Sequence, residues 1–323
     1  MAYCHVTVFG GSGFVGRHLV RRLAAAGAVV RVAVRDPEAA SFLMPMGDVG
    51  QVTPRLATIT DDASVRKAVE GADQVVNLVG ILYERGARTF QAMHVDAAAR
   101  VARACAAAGG KRLAHVSALG ADAQSPSAYA RSKADGEKEV LAAFPQATIL
   151  RPSVIFGPED DFFNRFATLA RISPVLPVFT DDLLRAAGSK FQPVYVGDVA
   201  EAILKTLNEE GGKHAGKTYE LGGPRVYTLR EIMELVLATV RRRRAIVPMP
   251  FWLGRLQASV LQFLPKPPLT PDQVVLLAKD NVLTGTYPGL TELGITPETA
   301  EVILPLYLSR YRTLPRHTIL RGV

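Results

Sequence analysis

With 323 residues, 48% of them hydrophobic, the chain has enough apolar material for a sizeable core, and its length suits one large α/β domain with a smaller lobe. No uninterrupted apolar stretch is long enough for a membrane span, nothing at the N-terminus reads as a secretory or mitochondrial presequence, and Cys4 and Cys105 lack metal-ligand spacing. A cytoplasmic or membrane-peripheral protein of a reducing compartment is expected, and its net charge of +8 favours anionic partners.

The first predicted element is the β-branched run His5-Val6-Thr7-Val8-Phe9, a buried strand. It meets Gly10-x-x-Gly13-x-x-Gly16, after which residues 17–26 carry apolar side chains at helical spacing up to Gly27. Glycines on a strand-to-helix turn let the backbone bend and approach a pyrophosphate, while the first helical amides supply donors and a favourable dipole. Gly10, Ser12, Gly13, Phe14, Val15 and Gly16 are therefore the candidate dinucleotide cradle. The second strand, Val29–Val34, ends at Arg35-Asp36-Pro37, where an acid would bind the two ribose hydroxyls of NAD. Val34 stands at that position and Arg35 follows it, a guanidinium suited to a 2′-phosphate, so NADP(H) is favoured and NAD(H) stays possible.

A third strand is predicted at residues 55–59, then Asp61-Asp62 opening a helix over 63–70. Asp61 is either a neighbour of the adenine or a simple helix cap. A fourth strand is predicted over 74–79, and Gly80 at its end would let a cofactor lie against the backbone. A helix over 90–108 and a fifth strand at Arg112–Val116 follow. Ser117 closes that strand, and Tyr129-Ala-Arg-Ser-Lys133 opens the next helix with the tyrosine and lysine on one face. In that arrangement the ammonium lowers the phenol pKa, the phenol moves a proton at a carbonyl, and the serine polarises the same oxygen. Ser117, Tyr129 and Lys133 are the candidate catalytic set.

Leu150-Arg151-Pro152-Ser153-Val154-Ile155-Phe156-Gly157-Pro158 reads as a sixth strand and its exit, with Pro152 beside the cofactor. Residues 191–196 and Thr218–Leu221 are expected to return to the main sheet. The predicted architecture is a Rossmann doubly wound parallel sheet, residues 1–157 with returning segments near 191–222. A smaller, mainly helical C-terminal lobe comprises 158–190 and 223–323. Phe162, Phe163, Phe166, Val175, Leu176 and Phe179 would give that lobe an apolar pocket unless they form its core. Residues 235–271 contain no acid and carry Arg241, Arg242, Arg243, Arg244, Arg255 and Lys266. With the apolar, tryptophan-bearing run 250–264 they make 241–264 a candidate surface for an anionic membrane, the alternative being that the run packs inside the lobe. No nucleic-acid reading motif accompanies the charge.

The spacing Gly10-x-x-Gly13-x-x-Gly16 points to the short-chain dehydrogenase/reductases. The run 144–167, with Leu-Arg-Pro-Ser-Val-Ile-Phe-Gly-Pro at its centre, then Gln192-Pro-Val-Tyr-Val-Gly-Asp-Val199, 267–273 and Asp280-Asn281, resembles the NADPH-binding accessory subunit of respiratory complex I and its bacterial relatives. These are atypical members of that group within the NAD-dependent epimerase/dehydratase superfamily. The resemblance implies NADPH at Gly10, Gly13, Gly16 and Arg35, with Tyr129 and Lys133 along it. It also implies a peripheral position at a membrane, such as the cytoplasmic face of a bacterial inner membrane, with a respiratory-complex or quinone-biosynthesis partner. Two departures from active members bear on turnover: His94-Val95-Asp96 stands where an Asn-Val-x-Gly-Thr stretch is common, and Ala118 follows Ser117. His94 is either a proton relay or an ordinary helix residue. The second reading is an active oxidoreductase or epimerase/dehydratase on a lipophilic carbonyl, quinone or sugar nucleotide.

Overall fold

The computed structural model describes residues 4–182, 187–208, 210–265 and 267–312. They fall into two units. The first comprises residues 1–153, 196–222 and 283–297, and the second 154–195, 223–282 and 298–323.

In the first unit β1 (His5–Phe9), α1 (Phe14–Ala25), β2 (Val29–Val34), β3 (Val52–Leu56), α2 (Asp62–Val69), β4 (Gln74–Asn77), α3 (Ala97–Ala107), β5 (Arg112–Val116), α4 (Ala128–Ala143) and β6 (Thr148–Pro152) follow in order. With the strand Thr218–Leu221 they give a seven-stranded sheet in the spatial order β3, β2, β1, β4, β5, β6, Thr218–Leu221. All pairings in this sheet are parallel. This is the predicted doubly wound α/β fold. Both faces of such a sheet are covered, which is why β1, β2 and β4 are rich in buried valines. On one face α2, α3 and α4 supply Val65, Val69, Val101, Cys105 and Val140 to a core that includes Phe9, Val75, Leu113 and Ile149. Strand order reverses between β1 and β4, the place where such sheets open a crevice at their carboxyl ends.

Three expectations shift. The third strand is Val52–Leu56 rather than 55–59, because β3 lies at the sheet edge and pairs only with β2, so the missing N–H of Pro54 is tolerated. The sixth strand ends at Pro152, and Ile155–Phe156 pairs instead with Val194–Tyr195 in the second unit. Residues 191–196 therefore do not return to the main sheet. Pro193 interrupts them, and on either side Phe191 pairs antiparallel with Tyr227 while Val194 N donates to Val154 O. Finally, Leu283–Pro297 belongs to the sheet unit rather than to the smaller lobe. The buried Glu220 carboxylate accepts from Thr284 N at 2.8 Å and Thr284 Oγ1 at 2.9 Å, and Glu220 N donates to Pro288 O. A buried carboxylate needs such donors, and this segment provides them.

The second unit has its own core of Phe156, Phe163, Leu176, Phe191, Ile232, Val236 and Leu304. Phe163 and Phe166 each pack edge to face on Phe162, with ring centroids 5.4 and 5.1 Å away, and the three belong to this core and its edge. The helix Leu229–Val240 begins with a reciprocal Thr228–Glu231 capping box and ends at Arg241 in a left-handed conformation, φ 55°.

Candidate functional site

The cradle lies where β1 turns into α1. Gly10 has φ 79°, and its carbonyl accepts from Gly13 N at 3.0 Å. A Cβ on Gly10 would sit 3.2 Å from the Leu78 carbonyl carbon, so the turn presses against the exit of β4 at the reversal point of the sheet. A Cβ on Gly16 would run into the Gly10 carbonyl oxygen and lie 2.5 Å from Gly11 C and Cα. No side chain caps α1 at Gly13, so its first amides have no acceptor from the cap residue. Ser12, Phe14 and Val15 complete the turn, each half-buried. This backbone surface, kept open by the missing Cβ of Gly16 and the positive φ of Gly10, fits a dinucleotide pyrophosphate.

Beyond β2, Arg35 is exposed and the neighbouring Asp36 carboxylate accepts from Ala39 N at 3.0 Å, capping its own turn. Arg17, one residue past Gly16, reaches the Ser12 and Gly13 carbonyls and lies over the Phe42 ring. Asp61 is the N-cap of α2, accepting from Ser64 N at 2.6 Å. The cap is formed through one oxygen, and Asp61 stays exposed. Pro152 is buried at the end of β6, its carbonyl taken by Leu119 N.

The carboxyl ends of β4 and β5 meet at Lys133. Its buried Nζ donates to Val116 O at 3.1 Å and stands 3.6 Å from where a Cβ on Gly80 would be. Burial takes its pKa down to about 8, with Glu137 one turn on opposing the shift. Ser117 Oγ, next along from Val116, is buried without a hydrogen-bond partner among the described residues. A buried ammonium held by one protein carbonyl and a buried hydroxyl with no partner are the groups a ribose and a carbonyl oxygen would complete. Tyr129, half-buried in the first turn of α4, packs edge-on against Phe90 at 5.8 Å and His94 at 5.4 Å. Ser117, Lys133, Gly80 and Tyr129 are thereby brought to one end of the sheet.

Sequence reasoning missed the supports of this set. The predicted helix over 90–108 opens with a π-turn, Gln91–Asp96, in which Ala97 N donates to Ala92 O, and His94 lies on it. His115 is fully buried on β5 with Nδ1 3.2 Å from the Asn77 amide. Arg151 grips Glu137 behind Lys133. The only sequence signal for that pair was Glu137 continuing the Tyr129–Lys133 face by one more turn.

In the second unit, helix Phe251–Leu261 buries Gly254 and Ala258, and a Cβ on Gly254 would overlap the Phe179 ring at 2.5 Å. Trp252, Leu256, Val260 and Phe263 are exposed, between 60% and 84%. Arg244 Nε donates to Ala170 O and Arg242 Nε to Tyr311 O, while Arg241, Arg243 and Arg255 are exposed. Lys266 lies outside the described residues. No helix among the described residues is long and apolar enough to cross a membrane.

Comparison with known proteins places the chain in a family. The model of the NAD dependent epimerase/dehydratase family covers residues 6–222. The mitochondrial NADH dehydrogenase (ubiquinone) 1 alpha subcomplex subunit 9 of Arabidopsis thaliana is 36% identical over 95% of this chain and 77% of its own length. A ceramide reductase of Caulobacter vibrioides is 36% identical over 62% of this chain and 59% of its own. Among solved structures, the NADPH-dependent quinone oxidoreductase QOR2 of Escherichia coli, complexed with NADPH, superimposes with a TM-score of 0.72 at 22% identity, covering 94% of this chain and 99% of that one; the likeness is one of fold. The chain belongs to the NAD dependent epimerase/dehydratase family and has complex I alpha subcomplex subunits among its relatives.

Proposed function

We propose that the protein holds NADP(H) at the carboxyl end of its sheet and serves as a membrane-peripheral cofactor protein of a respiratory complex of the NADH–ubiquinone type. The observation that carries the nucleotide is the glycine cradle, closed to any Cβ at Gly16 and pressed at Gly10 on the β4 exit, which leads on to Gly80 and the Lys133 amine. Gly10, Gly13 and the α1 amides would hold the pyrophosphate, Lys133 the nicotinamide ribose, and Gly80 the passage between them. Arg35 is the residue on this chain suited to a 2′-phosphate, and one carboxylate oxygen of the neighbouring Asp36 is taken up by its own turn. The partner reading is supported by the relatives, and a membrane-peripheral position by the exposed Trp252–Leu256–Val260–Phe263 stripe beside Arg255.

The unpartnered Ser117 hydroxyl supports a second reading, an enzyme acting on a lipophilic carbonyl, a quinone or a sugar nucleotide. A bound nicotinamide would supply or accept a hydride. Ser117 would hold the carbonyl oxygen, Tyr129 would deliver or remove the proton there, and Lys133 would keep the phenol acidic. The ceramide reductase likeness favours the lipophilic class.

One experiment separates the two. Protein is purified with its own nucleotide, the nucleotide identified, and NADPH absorbance followed after adding short-chain quinones and long-chain ketones. Stoichiometric NADPH that stays reduced supports the cofactor role; oxidation lost in Tyr129→Phe makes the protein a reductase. Absence of any bound or bindable nicotinamide nucleotide overturns both. Vesicle sedimentation tests the membrane surface: Trp252→Ser with Leu256→Ser should abolish binding to anionic vesicles, and unchanged binding removes that part.

A further inference from the structure

His94 is a buried titratable group that neither reading uses. It sits on the π-turn between two parts of the candidate site. Its Nε2 accepts the backbone N–H of Ile81 at 3.0 Å, immediately after Gly80 on the β4 exit. Its Nδ1 lies 2.9 Å from Ser132 Oγ, on the helix that carries Tyr129 and Lys133. Ser132 Oγ in turn donates to Tyr129 O at 2.8 Å.

These contacts fix the proton. A backbone N–H can only donate, so Nε2 must be bare, and the single proton of a neutral imidazole then sits on Nδ1 and is donated to Ser132. An imidazolium would place an Nε2–H against the Ile81 N–H. The surroundings oppose that cation as well: burial and the Lys133 ammonium take His94 down to about 3. The other titratable neighbours are His115, itself held neutral by burial, and the Tyr129 phenol. The ring is wedged, stacked on Phe90 at 5.3 Å and meeting Tyr129 edge-on. Its backbone is pinned too, since a Cβ on Gly136 would overlap the His94 carbonyl oxygen; glycine there lets α4 close onto the π-turn.

A relay histidine needs one nitrogen facing a proton donor or acceptor that changes state. Here one nitrogen is closed by a backbone amide, and the chain from the other ends on the Tyr129 backbone carbonyl, not on its phenol. We infer that His94 is a positioning residue: a neutral imidazole, protonated on Nδ1, that clamps the Gly80–Ile81 turn to the Tyr129–Lys133 helix and so sets the spacing between the floor and the wall of the nucleotide site. The widened π-turn is what brings the ring to both partners at once.

The nucleotide part of this inference rests on the proposed cofactor reading, whereas the clamp itself can be read without nucleotide. Long-range nitrogen–proton NMR on ring-labelled protein should find His94 neutral and Nδ1-protonated from pH 5 to pH 8. Hydrogen exchange should find the Ile81 amide protected, and in His94→Phe its exchange should rise by about tenfold, the loss of one hydrogen bond, while Val8 and Val76 in the sheet stay protected. The NADPH dissociation constant should rise in the same variant by a similar factor. Ser132→Ala, a smaller change that serves if His94→Phe does not fold, should speed Ile81 exchange to a lesser degree. A His94 that titrates between pH 5.5 and 7.5, carries its proton on Nε2, or leaves Ile81 exchange unchanged in either variant overturns the clamp. An intact clamp in a protein that binds no NADPH would overturn only the cofactor reading.

Discussion

Arg151 holds Glu137 with two parallel hydrogen bonds, Nε to Oε1 at 2.9 Å and Nη2 to Oε2 at 2.6 Å, one helical turn behind Lys133. The pair links α4 to β6, and its guanidinium lies over the Tyr287 ring 5.0 Å from the centroid, so it also reaches the Leu283–Pro297 segment. Both side chains are mostly buried, at 17% and 7% exposure. Such a bidentate pair is costly to break from one side, because the surviving charge loses its ionic partner in a mostly buried place. Glu137→Gln should therefore destabilise the protein by about 3–5 kcal/mol in chemical denaturation. A change below about 1 kcal/mol would show that solvent already reaches the pair.

The lowered pKa of Lys133 gives a sign to nucleotide binding. Its ammonium is present below about pH 8 and is lost above it, well short of the usual lysine range. If the ammonium holds the ribose, NADPH affinity in a fluorescence titration from pH 6.5 to 9.5 should fall as pH rises through about 8. Lys133→Met should bind weakly and without that dependence. A flat wild-type profile would take Lys133 out of the ribose contact.

Gly16 and Gly27 separate packing from backbone strain. A Cβ at Gly16 has no room beside Gly10 and Gly11, whereas Gly27 has φ 84° and open space around it. Gly16→Ala should cost about 1–3 kcal/mol and abolish NADPH binding as the cradle is pushed open. Gly27→Ala should cost about 1–2 kcal/mol and leave binding intact. Equal binding in the two variants would mean the cradle tolerates a displaced helix.

Arg35→Glu should weaken NADPH binding by about tenfold or more while changing NADH binding little, because only NADPH carries the 2′-phosphate. Competition titrations with both nucleotides measure this directly. Equal losses would assign the 2′-phosphate contact elsewhere, with Arg17 the next residue to substitute.

His94 and His115 predict the acid limit of stability. Burial, chiefly, takes both to about 3 in the folded chain, against an ordinary value of 6.5. Below pH 6.5 the unfolded chain takes up two protons that the folded chain refuses. Their contribution is thus fully present above pH 6.5 and is lost as pH falls toward 3, with a slope of up to about 2.7 kcal/mol per pH unit. Denaturation midpoints measured between pH 7 and 4 should fall on that curve, and the fall should halve in His94→Phe. A stability that is level down to pH 5 in the wild type would mean that burial keeps neither ring neutral.

The local signals of this sequence were enough for the nucleotide unit. Valine-rich strands, the Gly10–Gly16 spacing and helical periodicity each act over a few residues, so the doubly wound sheet and the position of Ser117, Tyr129 and Lys133 at its ends could be read in one pass. What escaped depends on partners far away along the chain. Residues 191–196 look like a strand from their own composition, but Tyr227, Asn281 and Val154 decide which sheet fragment they join. Residues 283–297 carry no strong pattern, and a buried Glu220 more than 60 residues away holds them on the sheet unit. His94 had two readings in the sequence because a histidine at helical spacing looks the same whether it relays a proton or clamps a turn. Only the tertiary contacts to Ile81 and Ser132 place its proton, since a tautomer is set by hydrogen-bond partners and not by neighbours in the chain.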